Sequence, residues 1–139
     1  MKSSTPARIL VLAQEATATP ALIEAVHARA ARGACAFTLL VPRSAHGLRR
    51  LTDAQNDESG EALHALEEAL PLLEQAAGAP VGGMVGDPTP LTAVEDAVNA
   101  HGFDEIIVHT PPARLTRWLR LDLPSKVTGL GLPTTTVNP

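Results

Sequence analysis

Large aromatic side chains are nearly missing from this sequence of 139 residues, which has two phenylalanines, Phe37 and Phe103, one tryptophan, Trp118, and no tyrosine. That scarcity argues against a stacking platform for nucleic-acid bases, and a net charge of −4 gives no general attraction to polyanions. No nucleic-acid partner is therefore expected. Cys35 is the only cysteine, so no disulfide can form within the chain. In its apolar run it reads as a small buried hydrophobe. No apolar stretch is long enough for a signal segment or a membrane helix, so no membrane association is expected and the protein reads as cytoplasmic. The five histidines show no metal-ligand spacing, and Cys35 has no companion ligand. No G-x-S-x-G, Walker loop or pair of catalytic carboxylates is found. The expectation is a protein without resident metal or enzyme activity.

Basic residues are absent from a long central stretch. Residues 53–105 carry many Asp and Glu and not one Lys or Arg. Arg43, Arg49 and Arg50 precede that block, and Arg114, Arg117, Arg120 and Lys126 follow it. What the chain does have is Ala, Leu and Val, a composition suited to thin helices laid on a sheet. Its length fits one domain spanning 1–139, with the polar residues 1–7 frayed. A chain of this size buries roughly 68–70% of its unfolded surface and needs no staples.

Apolar runs and breakers alternate along the chain. Arg8 to Ala13 and Cys35 to Val41 are continuous apolar stretches, as expected for strands covered on both faces. Thr19-Pro20 starts a helix, with Thr19 as N-cap and proline where its missing N–H costs nothing, and Gly33 ends it. Residues 42–58 form a long connection with one short helical turn around Leu48 and Leu51. The longest helix is expected from Ser59 to Ala77, its stripe made by Leu63, Leu66, Leu70 and Leu73 and its interior bent, not broken, by Pro71. Pro80 to Val85 reads as a third strand. Asp87-Pro88 repeats the cap-then-proline signal and opens a helix that ends at Gly102. A strand runs to His109, a basic loop covers Thr110 to Leu121, a short helix covers Pro124 to Leu130, and Pro133 to Val137 forms a last Thr-rich strand. Strict alternation means a single open five-stranded parallel sheet with helices on both faces, a Rossmann-like α/β fold. Its crevice lies at the C-terminal ends of the strands, where the winding reverses. Both groups of basic residues fall on that rim.

These residues resemble the universal stress protein family over nearly the whole chain. The resemblance is carried by ILVLA at 9–13, TLLV at 38–41, Val85-Gly86-Asp87-Pro88-Thr89-Pro90 leading into LTAVEDAV, F-D-E-I-I-V at 103–108 and L-P-T-T-T-V at 132–137. It implies the adenine nucleotide alpha hydrolase-like version of the fold, a homodimer joined through the C-terminal strand 133–138, and, in nucleotide-binding members, an ATP site. In those members the loop after the fourth strand follows G-x2-G-x9-G-[ST], an Asp follows the first strand and a Val ends the second. In this chain Thr110, Ala113 and Leu123 stand where the three glycines would be, Pro124 stands at the hydroxyl position with Ser125 one residue later, and Gln14 replaces the Asp. Val41 matches. The added side chains crowd a polyphosphate, and Pro124 removes one helix-terminal N–H that would donate to it.

The candidate ligand-binding residues are accordingly Gln14, Val41, His109, Thr110, Arg114, Arg117 and Ser125. Arg114 and Arg117, with Arg120, could hold a small anion by charge-assisted bonds; the alternative is a solvated basic loop. Trp118 among them reads as packing beside Leu115 and Leu119. His109, at a strand end near these arginines, is a candidate acid/base group. Three functions follow: a non-catalytic binding or regulatory module that does not bind ATP tightly; a nucleotide-binding member, for ATP or AMP, with a divergent phosphate loop; or a small phosphate-ester hydrolase using His109.

Overall fold

The computed structural model describes residues 6–13, 19–43, 54–87, 89–109 and 129–137. The elements are β1 (Ala7–Leu12), α1 (Pro20–Ala30), β2 (Cys35–Pro42), α2 (Ala54–Ala77), β3 (Gly82–Gly86), α3 (Pro90–His101), β4 (Glu105–His109) and β5 (Thr134–Val137). The five strands form one sheet in the order β3-β2-β1-β4-β5, and every pairing is parallel. The expected α/β sheet is therefore present, with β1 at its centre.

Parallel strands need crossover helices, and right-handed crossovers decide which face each helix covers. The chain moves outward from β1 to β3 through α1 and α2, then returns to β4 through α3. Two cores result. Ile9, Val11, Leu39, Val41 and Ile107 point to the α1/α2 face, where they meet Leu22, Val26, Leu66 and Leu73. Leu10, Leu12, Leu40, Ile106 and Val108 point to the α3 face and meet Ala93, Val94 and Ala97. Period-2 alternation thus divides unbroken apolar strands between two faces.

The helices depart from expectation in instructive ways. α2 begins at Ala54 rather than Ser59. Its first turns have no apolar periodicity in the sequence to reveal them. Its buried face is Ala62, Leu66, Ala69 and Leu73, while Leu63 is 47% exposed. Counting leucines alone rotated the predicted stripe, because alanine lets a helix sit close to a sheet. The helix continues through Pro71, which is exposed. α3 starts two residues later than Asp87-Pro88 implies: Thr89 is the N-cap and Pro90 occupies the first turn. Asp87 instead accepts the Thr89 N–H at 2.8 Å, an Asx-type turn that leads into the helix. Gly102, at φ +75°, ends α3 in a conformation that disfavours side-chain-bearing residues. The expected turn at Leu48 and Leu51 and most of the expected helix 124–130 lie outside the described residues; Gly129 and Leu130 form a turn.

Candidate functional site

The order β3-β2-β1-β4-β5 places the reversal of winding between β1 and β4. A crevice at the C-terminal ends of these two strands is the position where open α/β sheets take ligands. Register brings specific residues to it. Leu12 is level with Leu40 on one side and Val108 on the other. The next rung holds Ala13, whose N–H bonds the Leu40 carbonyl at 3.0 Å, flanked by Val41 and His109.

His109 follows Val108 and so points to the α1 face, where the start of α1 meets it. Its Nε2 lies 2.9 Å from Thr19 Oγ1. Thr19 is the N-cap of α1 and its Oγ1 also accepts the Leu22 N–H at 3.3 Å. A threonine hydroxyl has one hydrogen and two lone pairs, so it can serve both neighbours at once. The His109 side chain is entirely buried, and burial lowers its pKa, so the ring is neutral at physiological pH. Among the described residues Nδ1 has no partner. An unpaired buried polar atom of this kind costs about 1–3 kcal/mol.

This arrangement is a lock between β4 and α1 more than a reactive group. A general acid must reach a substrate proton, and His109 has no exposed surface. The α1 terminus is similarly occupied. Pro20 has no N–H, that of Leu22 goes to Thr19 Oγ1, and that of Ile23 goes to the Thr19 carbonyl at 3.0 Å. Among the described residues, that leaves Ala21 as the first-turn donor without a bond.

Of the seven candidate residues, the structure places Val41 and His109 on one rung of the crevice. Val41 is 1% exposed and packs in the α1/α2 core. Gln14, Thr110, Arg114, Arg117 and Ser125 lie outside the described residues. The partner that sequence reading missed is Thr19. Its capping role was legible, but its bond to a histidine 90 positions away depends on the sheet order.

A pH dependence follows from this burial. The unfolded chain protonates His109 near the ordinary histidine value of about 6.5, whereas the folded chain does so only at lower pH. The unfolded state therefore binds the proton more readily. The stability linked to His109 is complete above about pH 6.5 and declines as pH falls toward the lowered folded value. His109→Gln does not titrate and is expected to lose less stability than wild type between about pH 7.5 and 5.5 in urea unfolding. Equal losses in the two proteins would refute this linkage.

No protein-family model and no curated protein matches the sequence. Solved structures do resemble it. A universal stress protein in complex with cAMP aligns with a TM-score of 0.62 at 17% identity, covering 97% of this chain and 98% of that one. The hypothetical protein PH0823 aligns at 0.59 with 15% identity, covering 94% and 95%. A protein from the universal stress protein family of Burkholderia pseudomallei aligns at 0.56 with 15% identity, covering 98% of each chain. Likeness at this identity, over full length, establishes that the chain has the fold of these universal stress proteins.

Proposed function

We propose that this chain is a universal stress protein-type binding or regulatory module, non-catalytic, cytoplasmic, and without tight affinity for ATP. The observation that carries the reading is His109: the one candidate acid/base group is fully buried and engaged by the N-cap of α1. The hydrolase reading loses its reactive residue on the same ground. The loss of tight ATP binding rests on Thr110, Ala113, Leu123 and Pro124 occupying the phosphate-loop positions that the family resemblance assigns to glycines and a hydroxyl residue.

A second reading keeps nucleotide binding, with Arg114 and Arg117 supplying bonds that glycine backbone would otherwise give. The neighbour solved with cAMP favours it. Isothermal titration of the purified protein against ATP, AMP, cAMP and phosphate separates the two. Under the first reading ATP shows no submillimolar binding and at most a small anion is held. Submillimolar ATP binding abolished by Arg114→Ala would establish the second in its place.

The module is further proposed to be a homodimer joined through β5. Among the described residues β5 pairs with β4 on one side only and ends the sheet, and such an edge invites a second copy. The Ile106 N–H bonds the Pro133 carbonyl at 2.9 Å, and Ile106 is level with Thr134. In a parallel ladder this turns the Thr135 N–H toward β4 and those of Thr134 and Thr136 outward. Thr136→Pro is therefore expected to yield monomers in size-exclusion chromatography while leaving the β4 ladder intact. An unchanged elution volume with an unchanged circular dichroism spectrum would reject this interface.

A further inference from the structure

A second concavity opens at the other edge of the sheet, beside β3. It has a volume of about 560 Å³, within the ordinary range for small-molecule pockets of about 300–1,000 Å³. Its apolar lining is formed by Leu40 and Met84 from the sheet and Ala93 and Ala97 from α3. Neither Val41 nor His109 lines it, so it is separate from the β1/β4 crevice and independent of whether that crevice holds a nucleotide.

Three charged groups face this cleft: Arg43, Asp87 and Asp96. The Arg43 N–H bonds the Gly86 carbonyl at 2.9 Å, which fixes the residue where β2 leaves the sheet. Its Nε is shut off from solvent and has no partner among the described residues. Asp87 uses one carboxylate oxygen for the Thr89 N–H and keeps the other. Asp96 is exposed and makes no bond among the described residues. No ion pair joins Arg43 to either carboxylate among those residues. Opposite charges thus share one cleft without neutralising each other.

The chemistry of an occupant follows by elimination. A plain anion would satisfy Arg43 but would meet two carboxylates. A plain cation would leave the Arg43 guanidinium without a counter-charge in the cleft. A fully polar molecule would leave the apolar lining uncovered. One molecule with a carboxylate, an ammonium group and an apolar skeleton meets all three demands. We propose that this cleft binds a small apolar zwitterion, an apolar amino acid or short apolar peptide. Its carboxylate sits on Arg43, its ammonium on Asp87 and Asp96, and its side chains against Leu40, Met84, Ala93 and Ala97.

The test uses the full chain, isothermal titration and amide chemical-shift mapping. L-leucyl-L-leucine is the probe, 4-methylpentanoate and isopentylamine carry one charge each, and glycylglycine lacks the apolar part. Saturable dipeptide binding is expected, with shifts at Arg43, Met84 and Asp96, and at least tenfold weaker binding of the three controls. Arg43→Gln and Asp96→Asn are each expected to weaken the dipeptide at least tenfold while keeping the wild-type circular dichroism spectrum. Asp96 is exposed, so its variant reports on binding even if Arg43→Gln disturbs the fold. Absence of saturable dipeptide binding at low-millimolar concentration overturns the proposal. So does equal binding of either single-charge probe, or dipeptide binding unchanged in Asp96→Asn.

Discussion

Gly86→Ala is expected to destabilise the protein by about 1–3 kcal/mol, the usual range for forcing an extra carbon into a packed core. Gly86 ends β3 beneath the start of α3. A Cβ built there would lie 2.9 Å from Leu40 Cδ1 and 3.0 Å from Ala93 Cβ. The leucine can rotate away, but Ala93 is held by the helix backbone, so α3 itself must shift. Gly82 is the matched control. A Cβ there would meet Thr38 Oγ1 at 3.5 Å, an ordinary contact. Gly82→Ala is expected to stay within about 0.5 kcal/mol of wild type. Urea unfolding of both variants checks the pair, and equal midpoints would show that α3 has more freedom than this packing allows. A chain of this size loses about 3–4 °C in Tm per kcal/mol, so Gly86→Ala is also visible in a thermal scan.

Glu105→Ala is expected to cost about 2 kcal/mol, between the values for exposed and fully buried ion pairs. Arg29, in the last turns of α1, donates Nε–H to Glu105 Oε1 at 2.9 Å and an Nη2–H to Oε2 at 2.5 Å. This two-pronged geometry is among the stronger side-chain arrangements. The side chains are 13% and 26% exposed, so solvent screens them only in part. The bonds from Arg29 hold the Glu105 carboxylate below its usual range, and Glu105 in turn raises Arg29. Because the folded carboxylate releases its proton more readily than the unfolded one, its stabilisation is complete above about pH 4.3 and disappears as pH falls through the lowered folded value. Wild type and Glu105→Ala should therefore converge in stability in acid. A double-mutant cycle with Arg29→Met measures the coupling directly, and a coupling near zero would assign the loss to something other than the pair.

The fold was legible because each of its decisions is local. The apolar runs at 9–13 and 35–41, the Thr19-Pro20 cap and the glycines at 33, 78 and 102 punctuate the chain independently of tertiary context. Where reading failed, two neighbouring signals competed. Asp87-Pro88 and Thr89-Pro90 carry the same cap chemistry, and the helix starts at the second, with Asp87 in the turn before it and Ala93 close over Gly86. Leucine spacing competed with alanine spacing along α2, and closeness to the sheet favoured alanine. The crevice was legible as a place, since strand ends and winding order follow from alternation. The state of His109 was not, because desolvation and the hydroxyl of Thr19 come from residues distant in sequence. Arg43 was legible as a charge near the sheet rim, but an Nε shut off from solvent and unpaired among the described residues is a property of packing alone.

β1 lies at the middle of the sheet, yet its two neighbours arrive at very different times during synthesis. β2 follows it within about 30 residues, while β4 is made only after α3. Until then the nascent chain carries a half-built β3-β2-β1 layer whose β1 edge presents a row of unpaired backbone N–H and C=O groups. Such a margin is a template for the wrong chain. The closing of the sheet by β4 is thus the step at which crowding on the ribosome and chaperone contact have most to decide.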